Sequence, residues 1–307
     1  MYRILYNLTV IDHIPMQQYP IRTASEMTGI NAVTLRAWER RYGLIKPLRT
    51  PKGHRLYTLQ HIDLINQVRE KLACGMSISR IASELFANQQ DEDTVGDIWQ
   101  GYCNRMIASV SQFDERSVDK VYNEAMTLYP VDIVTDRLIV PLLQQIGELW
   151  ATNKGRVAEE HFFSIYLRNK IGARLHHQNL QNDGKKIVAA CLPGERHEFG
   201  ILLFALNAHS RGYRVVQLGA DMPVDELATV VTITHADAIV LAGSAHADRA
   251  QTMRSLKSVI SETTVPVFFG GDALTAGTDE LAAIGVTSLG PNIASGLSLI
   301  AKVIGTR

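Results

Sequence analysis

The residue best suited to hold a metal is His197, in the segment PGERHEFG that follows a short apolar run. Among side chains, the imidazole nitrogen is the commonest metal ligand. Glu195 lies two residues earlier and can hold the other ring nitrogen, which fixes the tautomer of the ring. A single histidine in a loop is more often only solvated, so the prediction of a ligand depends on the residues around it.

Small residues after the apolar runs support a ligand with a broad, flat face. Gly200 follows the histidine by three residues, and Gly270 and Gly271 end a later apolar run. Glycine leaves no side chain where the backbone must approach a ligand closely. The chain contains neither GxGxxG nor GxxxxGK[ST], so a nucleotide phosphate is not the evident target.

A second stretch is basic, although the chain of 307 residues has a formal net charge of +0. Residues 20–72 hold ten Lys and Arg against four Asp and Glu, a local net charge of +6. IRTASEMTGINAVTLRAWERRYG predicts two helices joined at Gly29, the second capped by Asn31. Arg36 and Arg40 then share one helix face, which suits a major groove. The same charge would also serve simply to keep a helical domain soluble.

The last part of the chain predicts the scaffold that places His197. Five apolar runs separated by helical stretches are typical of a doubly wound parallel sheet buried on both faces. The runs are KIVAACL (186–192), YRVVQLG (213–219), DAIVLAG (237–243), VPVFFGG (265–271) and VTSLG (286–290). Such sheets bind ligands beyond the carboxyl ends of their strands, which is where His197 follows the first run.

The middle of the chain predicts helices. Apolar residues at every fourth position from Val134 to Trp150 predict a buried helix face, with a kink or a restart at Pro141. A turn at 153–155 precedes a second striped helix over about 157–175. Four or so helices of this length indicate a small bundle.

The composition of the whole chain excludes several classes of protein. Hydrophobic residues at 46% and charged residues at 20% exclude a wholly disordered, collagenous or coiled-coil chain. We predict a multidomain α and α/β protein with a polar linker at 88–96. Its parts are an extension (1–19), a winged helix-turn-helix (20–88), a helical bundle (97–180) and a Rossmann-like domain with a doubly wound parallel sheet (185–307).

Cysteine content and hydropathy exclude further classes. Three cysteines are too few and too far apart for a disulfide framework or a CxxC zinc site, and we expect them to be buried. The sequence starts without a secretory signal and has no run of about 20 apolar residues. We therefore expect a cytoplasmic protein with no membrane partner.

TLRAWERRYGL (34–44) followed by GHRLY (53–57) closely resembles the DNA-binding domain of MerR-type transcription regulators. The resemblance implies a winged helix-turn-helix that binds double-stranded operator DNA as a dimer. The candidate DNA contacts are Arg22, Thr34, Arg36, Arg40, Arg41, Lys52, His54, Arg55 and Tyr57. Of these, Lys52 and Arg55 lie in the predicted wing and suit phosphates. Trp38 and Tyr57 are expected mainly to pack in the core. Metal-sensing members carry paired cysteines near the end of the following helix, and this chain has none there.

Glu195 to Gly200, then Ser244 and Gly270-Gly271, resemble the cobalamin-binding motif of corrinoid proteins. The resemblance implies that His197 is the lower ligand of cobalt in place of the cofactor's own tail. It also implies that the serine and the paired glycines line the slot for that tail. The candidate cofactor contacts of this domain are Glu195, Arg196, His197, Glu198, Gly200, Ser244, Gly270 and Gly271.

Trp150, nine intervening residues and Glu160-His161 match the Trp-x9-Glu-His signature of the light-sensing, cobalamin-binding MerR regulators called the CarH group. The resemblance implies that Trp150 covers the upper face of adenosylcobalamin and that Glu160 and His161 contact the adenosyl group. Light-sensing members of the best-known type place a histidine directly after the tryptophan, where this chain has Ala151. His161, His176 and His177 are the nearest substitutes for that cobalt ligand.

Together these resemblances imply an adenosylcobalamin-dependent repressor that binds DNA as a cofactor-dependent dimer or tetramer. Light would release the DNA by breaking the cobalt–carbon bond. A light-independent cobalamin sensor, or a regulator without cofactor, is the first alternative, and Ala151 is its main support. A corrinoid methyl carrier is a remote alternative because such a protein has no need of the basic module. We expect no enzymatic activity.

Overall fold

A computed structural model describes residues 17–86, 98–152, 156–179, 183–243, 249–271 and 278–306. Several predicted features lie outside these residues, namely most of the extension, the linker at 88–96, the turn at 153–155 and Ser244. The side chains of Trp150, Ala151 and His177 also lie outside the described part. The chain divides into two units, Met1–Asp91 and Glu92–Arg307, and each is described by itself.

In its described residues the first unit combines short helices with a three-stranded antiparallel sheet. The helices are α1 (Ile21–Thr28), α2 (Ala32–Ala37), α3 (Leu59–Ala73) and α4 (Ile78–Phe86). The strands are β1 (Gln18–Pro20), β2 (Leu48–Arg49) and β3 (Arg55–Thr58), in the order β1-β3-β2. Gln18 and Tyr19 pair with β3, so the folded module begins before residue 20. This pairing corrects the predicted boundary of the extension.

Local signals in the sequence account for the helix-turn-helix. α1 ends at Gly29, whose φ of 70° is a left-handed conformation that glycine adopts without steric cost. The Asn31 side chain accepts a hydrogen bond from the Thr34 backbone N–H at 2.8 Å and caps α2, as predicted. α2 continues directly into a π-helical segment, Trp38–Tyr42.

The second unit begins with a helical bundle. Its helices are α5 (Ile98–Ser111), α6 (Glu115–Leu128), α7 (Val131–Val134), α8 (Val140–Ala151) and α9 (Val157–Asn179). The predicted apolar stripe is buried from Val134 through Ile146, which confirms that this face lies in the core. A π-helical segment, Thr135–Ile139, joins α7 to α8. The α-helical pattern resumes at Val140, one residue before Pro141, so a restart lies where it was predicted and the missing N–H of the proline falls where the hydrogen-bond register changes.

The rest of the second unit is the parallel sheet that the apolar runs predict. Its strands are β4 (Lys186–Cys191), β5 (Arg214–Gly219), β6 (Ala238–Ala242), β7 (Val267–Gly270) and β8 (Val286–Gly290), in the order β5-β4-β6-β7-β8. Its helices are α10 (Phe199–Ser210), α11 (Leu227–Thr234), α12 (Arg249–Glu262), α13 (Thr278–Ala283) and α14 (Ile293–Ile304). The strand order reverses beside β4. The loop after β4 therefore lies at the switch point where doubly wound sheets bind ligands.

Polar contacts join the bundle to the sheet domain. The buried Asn207 of α10 donates a hydrogen bond to Thr135 Oγ1 at 3.0 Å. Asn292, which caps α14, donates to Asp136 Oδ2 at 3.0 Å. Because a buried amide without a partner is costly, the first bond ties α10 to the π-helical segment of the bundle.

The burial of the cysteines and the character of the helices bear on two of the expectations from the sequence. Cys103 and Cys191 are buried as expected, but Cys74 is exposed at the end of α3, which corrects that prediction. Within the described residues, none of the helices combines the length and the apolar character needed to cross a membrane.

Candidate cofactor site and nucleic-acid interface

The loop after β4 is built on a tight turn. Pro193 and Gly194 occupy its centre, and the Glu195 N–H donates to the Leu192 carbonyl at 3.0 Å. Gly194 has a φ of 82°, the positive value that the third residue of a type II turn requires. The Gly194 N–H donates to Asp221 Oδ1 at 2.7 Å, and the Asp221 N–H donates to the Glu195 carbonyl at 2.9 Å. The loops after β4 and β5 therefore hold each other in place.

His197 is presented by this loop with one ring nitrogen already engaged. Glu195 is buried, with 3% of its side chain exposed, and its Oε1 lies 2.7 Å from both the backbone N and the Nδ1 of His197. A carboxylate only accepts hydrogen bonds, so in the neutral ring Nδ1 carries the proton and Nε2 is the unprotonated nitrogen. The His197 side chain is 72% exposed, and Arg196 beside it is also exposed. This arrangement suits an imidazole that ligates a metal through Nε2.

Cys191 is another potential metal ligand close to the loop. Its Sγ lies 3.9 Å from the His197 carbonyl oxygen. Burial, with the negative charges of Glu195 and Glu198, raises the pKa of the Cys191 thiol to about 12. The thiol therefore stays protonated near neutral pH, and only the thiolate is an effective ligand.

The predicted glycines at the strand ends divide into two kinds. A Cβ at Gly200 would meet nothing within 4 Å, and a Cβ at Gly270 would meet only Leu289, at 3.9 Å. The fold therefore does not require glycine at these two positions. At Gly271 the φ is +105° and a Cβ would lie 2.2 Å from the Gly243 carbonyl oxygen. The fold itself therefore requires glycine at 271.

Helix α9 brings the bundle to the same loop. The Arg168 guanidinium of α9 binds Glu198 Oε1 at 2.5 Å, one residue after His197. Leu175, two turns further along α9, lines a cavity together with Lys186 at the start of β4. α9 thus runs along the sheet domain from the end of β4 toward its start. The first part of α9 extends beyond the His197 loop.

Two of the predicted upper residues, Glu160 and His161, lie on that first part of α9. His161 precedes Arg168 by seven residues, so both lie on the same helix face, about 10 Å apart along the axis. His161 is exposed and Glu160 is partly buried. Val157 and Ile165 lie four residues on either side of His161 and are exposed apolar side chains. Nothing in the sequence marks Ile165 or Arg168, because the helical periodicity alone does not show which face of α9 the sheet domain leaves open.

Basic side chains of the first unit lie on its surface. The predicted DNA contacts that are exposed are Arg22, Arg36, Arg40, Arg41, Lys52 and His54. Arg36 lies on α2 and Arg40 on its π-helical continuation, whereas Lys52 and His54 lie in the turn between β2 and β3. Arg22 is paired with Glu26 at 3.3 Å. The second helix and the wing thus both present cations to solvent.

Two of the predicted DNA contacts are buried instead. Thr34 and Tyr57 have no exposed surface, because Thr34 lies on the inner face of α2 and Tyr57 on β3 within the core. Their side chains cannot reach a nucleic acid, which corrects that part of the prediction. The expectation that Trp38 and Tyr57 pack in the core is confirmed, since Trp38 is also fully buried.

Arg55 is engaged inside the protein. Glu39, just after α2, binds Arg55 Nε through Oε2 at 2.5 Å and Arg49 Nη2 through Oε1 at 2.8 Å. Partial burial works to raise the pKa of Glu39, but the hydrogen bonds and charges of Arg55 and Arg49 outweigh it and hold the pKa below its ordinary value. Glu39 therefore fastens both wing strands to the second helix. The only sequence signal for this role is that Glu39 is the one acidic residue in WERRY.

Comparison with known proteins gives the family. Residues 19–86 match the MerR HTH family of regulatory proteins, and residues 102–174 match a B12 binding domain. The HTH-type transcriptional repressor CarH of Myxococcus xanthus is 31% identical over 271 residues, which cover 83% of this chain and 89% of that protein. The chain belongs to the CarH-like group of MerR-type regulators.

Two further proteins are similar to this chain. The HTH-type transcriptional repressor CarA of Myxococcus xanthus is 28% identical over 262 residues, covering 82% of this chain and 85% of that protein. The monomethylamine corrinoid protein of Methanosarcina barkeri superposes with a TM-score of 0.53 at 15% identity, over 66% of this chain and 99% of that one. This second likeness shows the fold alone. The CarH-like regulator therefore joins a DNA-binding MerR module to a cobalamin-binding unit.

Proposed function

We propose that this CarH-like regulator is an adenosylcobalamin-dependent repressor that releases operator DNA in the light. In the dark it would bind double-stranded operator DNA as a homo-oligomer, a dimer or a tetramer. The observation that carries the proposal is the exposed His197 ring, whose Nδ1 is held by the buried Glu195 at 2.7 Å. Repression is inferred from two relatives that are named as transcriptional repressors.

The residues of the loop would hold the cofactor from below. Bound adenosylcobalamin would supply a cobalt that accepts His197 Nε2 and a cobalt–carbon bond that light can break. Glu195 fixes the tautomer of the ring, as carboxylates beside metal-ligating histidines do. Gly200 and Gly270 leave room for the cofactor, and Ser244 and Gly271 are proposed to line the slot for its tail.

Residues of the bundle would sense the upper ligand. We assign Trp150, Glu160 and His161 to the adenosyl group, and Glu160 and His161 lie on the part of α9 that extends beyond the loop. Val157 and Ile165 flank His161 with exposed apolar surface that a cofactor would cover. Burial of that surface would contribute to binding in proportion to the apolar area removed from water.

Thermodynamic linkage would connect cofactor binding to DNA binding through assembly of the oligomer. A ligand shifts assembly only by the difference in its affinity for the assembled and the dissociated states. Loss of the adenosyl group would remove its contacts with the bundle, and with them the free energy that favours the DNA-binding oligomer. The exposed cations of α2 and of the wing would then no longer be presented at two half-sites together.

The alternatives rest on different observations. Ala151 follows Trp150 where light-sensing members have a histidine, and this substitution favours a cobalamin sensor that does not respond to light. A methyl carrier would share the fold of the corrinoid protein but has no need of the MerR module at residues 19–86.

Visible absorption and DNA binding, measured on the same sample, separate these possibilities. In the dark, adenosylcobalamin should give the absorption bands of a cofactor whose tail is displaced by histidine, and should promote DNA retardation in a gel. Green light should change the spectrum and release the DNA. DNA binding that is identical in dark and light would favour the light-independent alternative.

The His197 assignment has its own control. His197→Ala should remove the tail-displaced bands in the dark, whereas His176→Ala, at an exposed histidine on α9, should keep them. An unchanged dark spectrum in folded His197→Ala would overturn the assignment of the lower ligand.

A further inference from the structure

The outer face of α2 carries an apolar residue that the basic pattern does not explain. Val33, the second residue of α2, is 53% exposed. Thr34, Leu35 and Ala37 are buried at 1% or less, so α2 has a distinct inner face and Val33 lies on the outer one. A single exposed valine is ordinary on a protein surface, so a functional role for Val33 has to be argued from its position on the helix.

Val33 shares its face with the arginines that are expected to enter the major groove. Arg36 follows it by three residues and Arg40 by seven, and both are exposed. Side chains at these spacings lie along one side of a helix. In helix-turn-helix proteins the N-terminal residues of the second helix contact base edges. Val33 lies closer to that end than either arginine.

We propose that Val33 recognises the 5-methyl group of a thymine in the operator, next to the base that Arg36 reads. Its side chain has two γ-methyl groups and no hydrogen-bonding atom, so it cannot hold a phosphate or a base nitrogen. The 5-methyl of thymine is the apolar group that the major groove displays. The proposal rests on α2 being the recognition helix of the proposed function.

The stiffness of the side chain supports this role. A β-branched residue in a helix strongly prefers one χ1 rotamer, so the Val33 methyl groups are already ordered before DNA binds. A flexible side chain would lose free energy when it became immobilised at the interface. Asn31 adds to this rigidity because it caps α2 two residues before Val33.

Replacement of thymine by uracil tests the contact, since uracil lacks only the 5-methyl group. The full chain, in the dark with adenosylcobalamin present, first selects a preferred duplex from a pool of random duplexes. Each thymine is then replaced in turn by deoxyuridine, and Kd is measured for wild type and Val33→Ala. When uracil replaces one particular thymine of each half-site, wild type should bind the duplex about fourfold more weakly. This is the ratio expected for the loss of one buried methyl group. Val33→Ala should bind thymine and uracil equally at that position.

A matched variant controls for loss of apolar surface. Leu59 is 51% exposed but begins α3 and does not lie on α2, so Leu59→Ala should keep the wild-type response to uracil. Alanine has the highest helix propensity, so Val33→Ala should keep α2 folded, and circular dichroism checks this.

The outcomes of this experiment distinguish the proposed DNA-binding function from the proposed thymine contact of Val33. If folded wild type selects no duplex, the proposed DNA-binding function fails. If it selects a duplex but tolerates uracil at every position, the Val33 assignment is wrong while DNA binding stands. The assignment is also wrong if Val33→Ala still loses affinity at the same uracil, because another group then reads that methyl.

Discussion

Replacement of the buried carboxylate beside His197 should weaken cobalamin binding without removing the ligand itself. In Glu195→Gln the amide oxygen can still accept hydrogen bonds from the His197 N–H and Nδ1, but the negative charge is lost. The variant is nearly isosteric, which matters at a side chain that is 3% exposed. The ring should remain in the loop with a weaker hold on its orientation.

The expected increase in Kd follows from two consequences of the weaker hydrogen bond. A hydrogen bond to a charged group contributes about 1.5–3 kcal/mol and one between neutral groups about 0.5–1.5 kcal/mol, so the Nδ1 bond weakens by about 1 kcal/mol. A ring that is less tethered must be ordered on binding, which costs about 0.5–1.5 kcal/mol. The sum of about 1.5–2.5 kcal/mol predicts a Kd about 10–70-fold higher. Mutation of the outer hydrogen-bond partners of metal-ligating histidines typically lowers metal affinity by about 10–100-fold.

Titration of the protein with adenosylcobalamin in the dark, followed by visible absorption, measures both affinity and the lower ligand. Glu195→Gln should raise Kd by the predicted factor and still reach the tail-displaced spectrum at saturation. Glu198→Gln is the matched control, because Glu198 lies in the same loop but binds Arg168 of α9 and not the imidazole. It should reach the same spectrum with a smaller change in Kd.

Two results would refute this reasoning. If Glu195→Gln binds adenosylcobalamin as tightly as wild type while His197→Ala loses the tail-displaced spectrum, the carboxylate does not orient the ring. If Glu198→Gln weakens binding as much as Glu195→Gln, the effect reflects loss of negative charge in the loop and not the hydrogen bond to Nδ1.

The remaining predictions concern the wing, the groove face and the upper face of the cofactor. The lowered pKa of Glu39 means that its ionised form stabilises the wing above the ordinary value of about 4.5, and that this stabilisation is lost as the pH falls through the lower folded value. Glu39→Gln should therefore lower Tm above about pH 4.5, with a smaller difference from wild type in more acidic buffer, as thermal melts at several pH values would show. Lys52→Ala should weaken binding to every duplex and flatten the plot of log K against log salt by about one unit, as for one lost phosphate contact. Arg36→Ala should instead change sequence preference, by about 1–3 kcal/mol at one base pair, and equal losses on selected and scrambled duplexes would exclude a base contact. Ala151→His should keep more cobalamin on the protein after illumination, measured by absorbance after gel filtration, because a second imidazole would follow Trp150; equal retention in both proteins would contradict this.

Much of the architecture was predictable because its signals are local. The continuous apolar runs of the five strands and the fourth-residue stripe from α7 to α8 each reflect a local segment packing against a core. Gly29 and Asn31 likewise act within one turn of the chain, by a left-handed φ and by a side-chain cap. The pairing of Glu195 with His197 spans two residues, so the sequence could also indicate it.

Other parts of the site were decided by contacts between distant segments. Glu39 meets Arg55 across 16 residues, and Arg168 meets Glu198 across 30. No periodicity marks such partners, because each depends on how whole elements pack. The same holds for Gly271, whose glycine is required by the carbonyl of a neighbouring strand's loop and not by its own turn alone.

The sequence by itself therefore determined the order of modules, the strand and helix pattern, and the pairing of Glu195 with His197. Only the tertiary structure decided which side chains are accessible to a partner. It buried Thr34 and Tyr57 and left Val33 exposed on the same module. The physical reason is that hydrophobic burial depends on the surface covered by the rest of the fold, and residue type does not determine that surface.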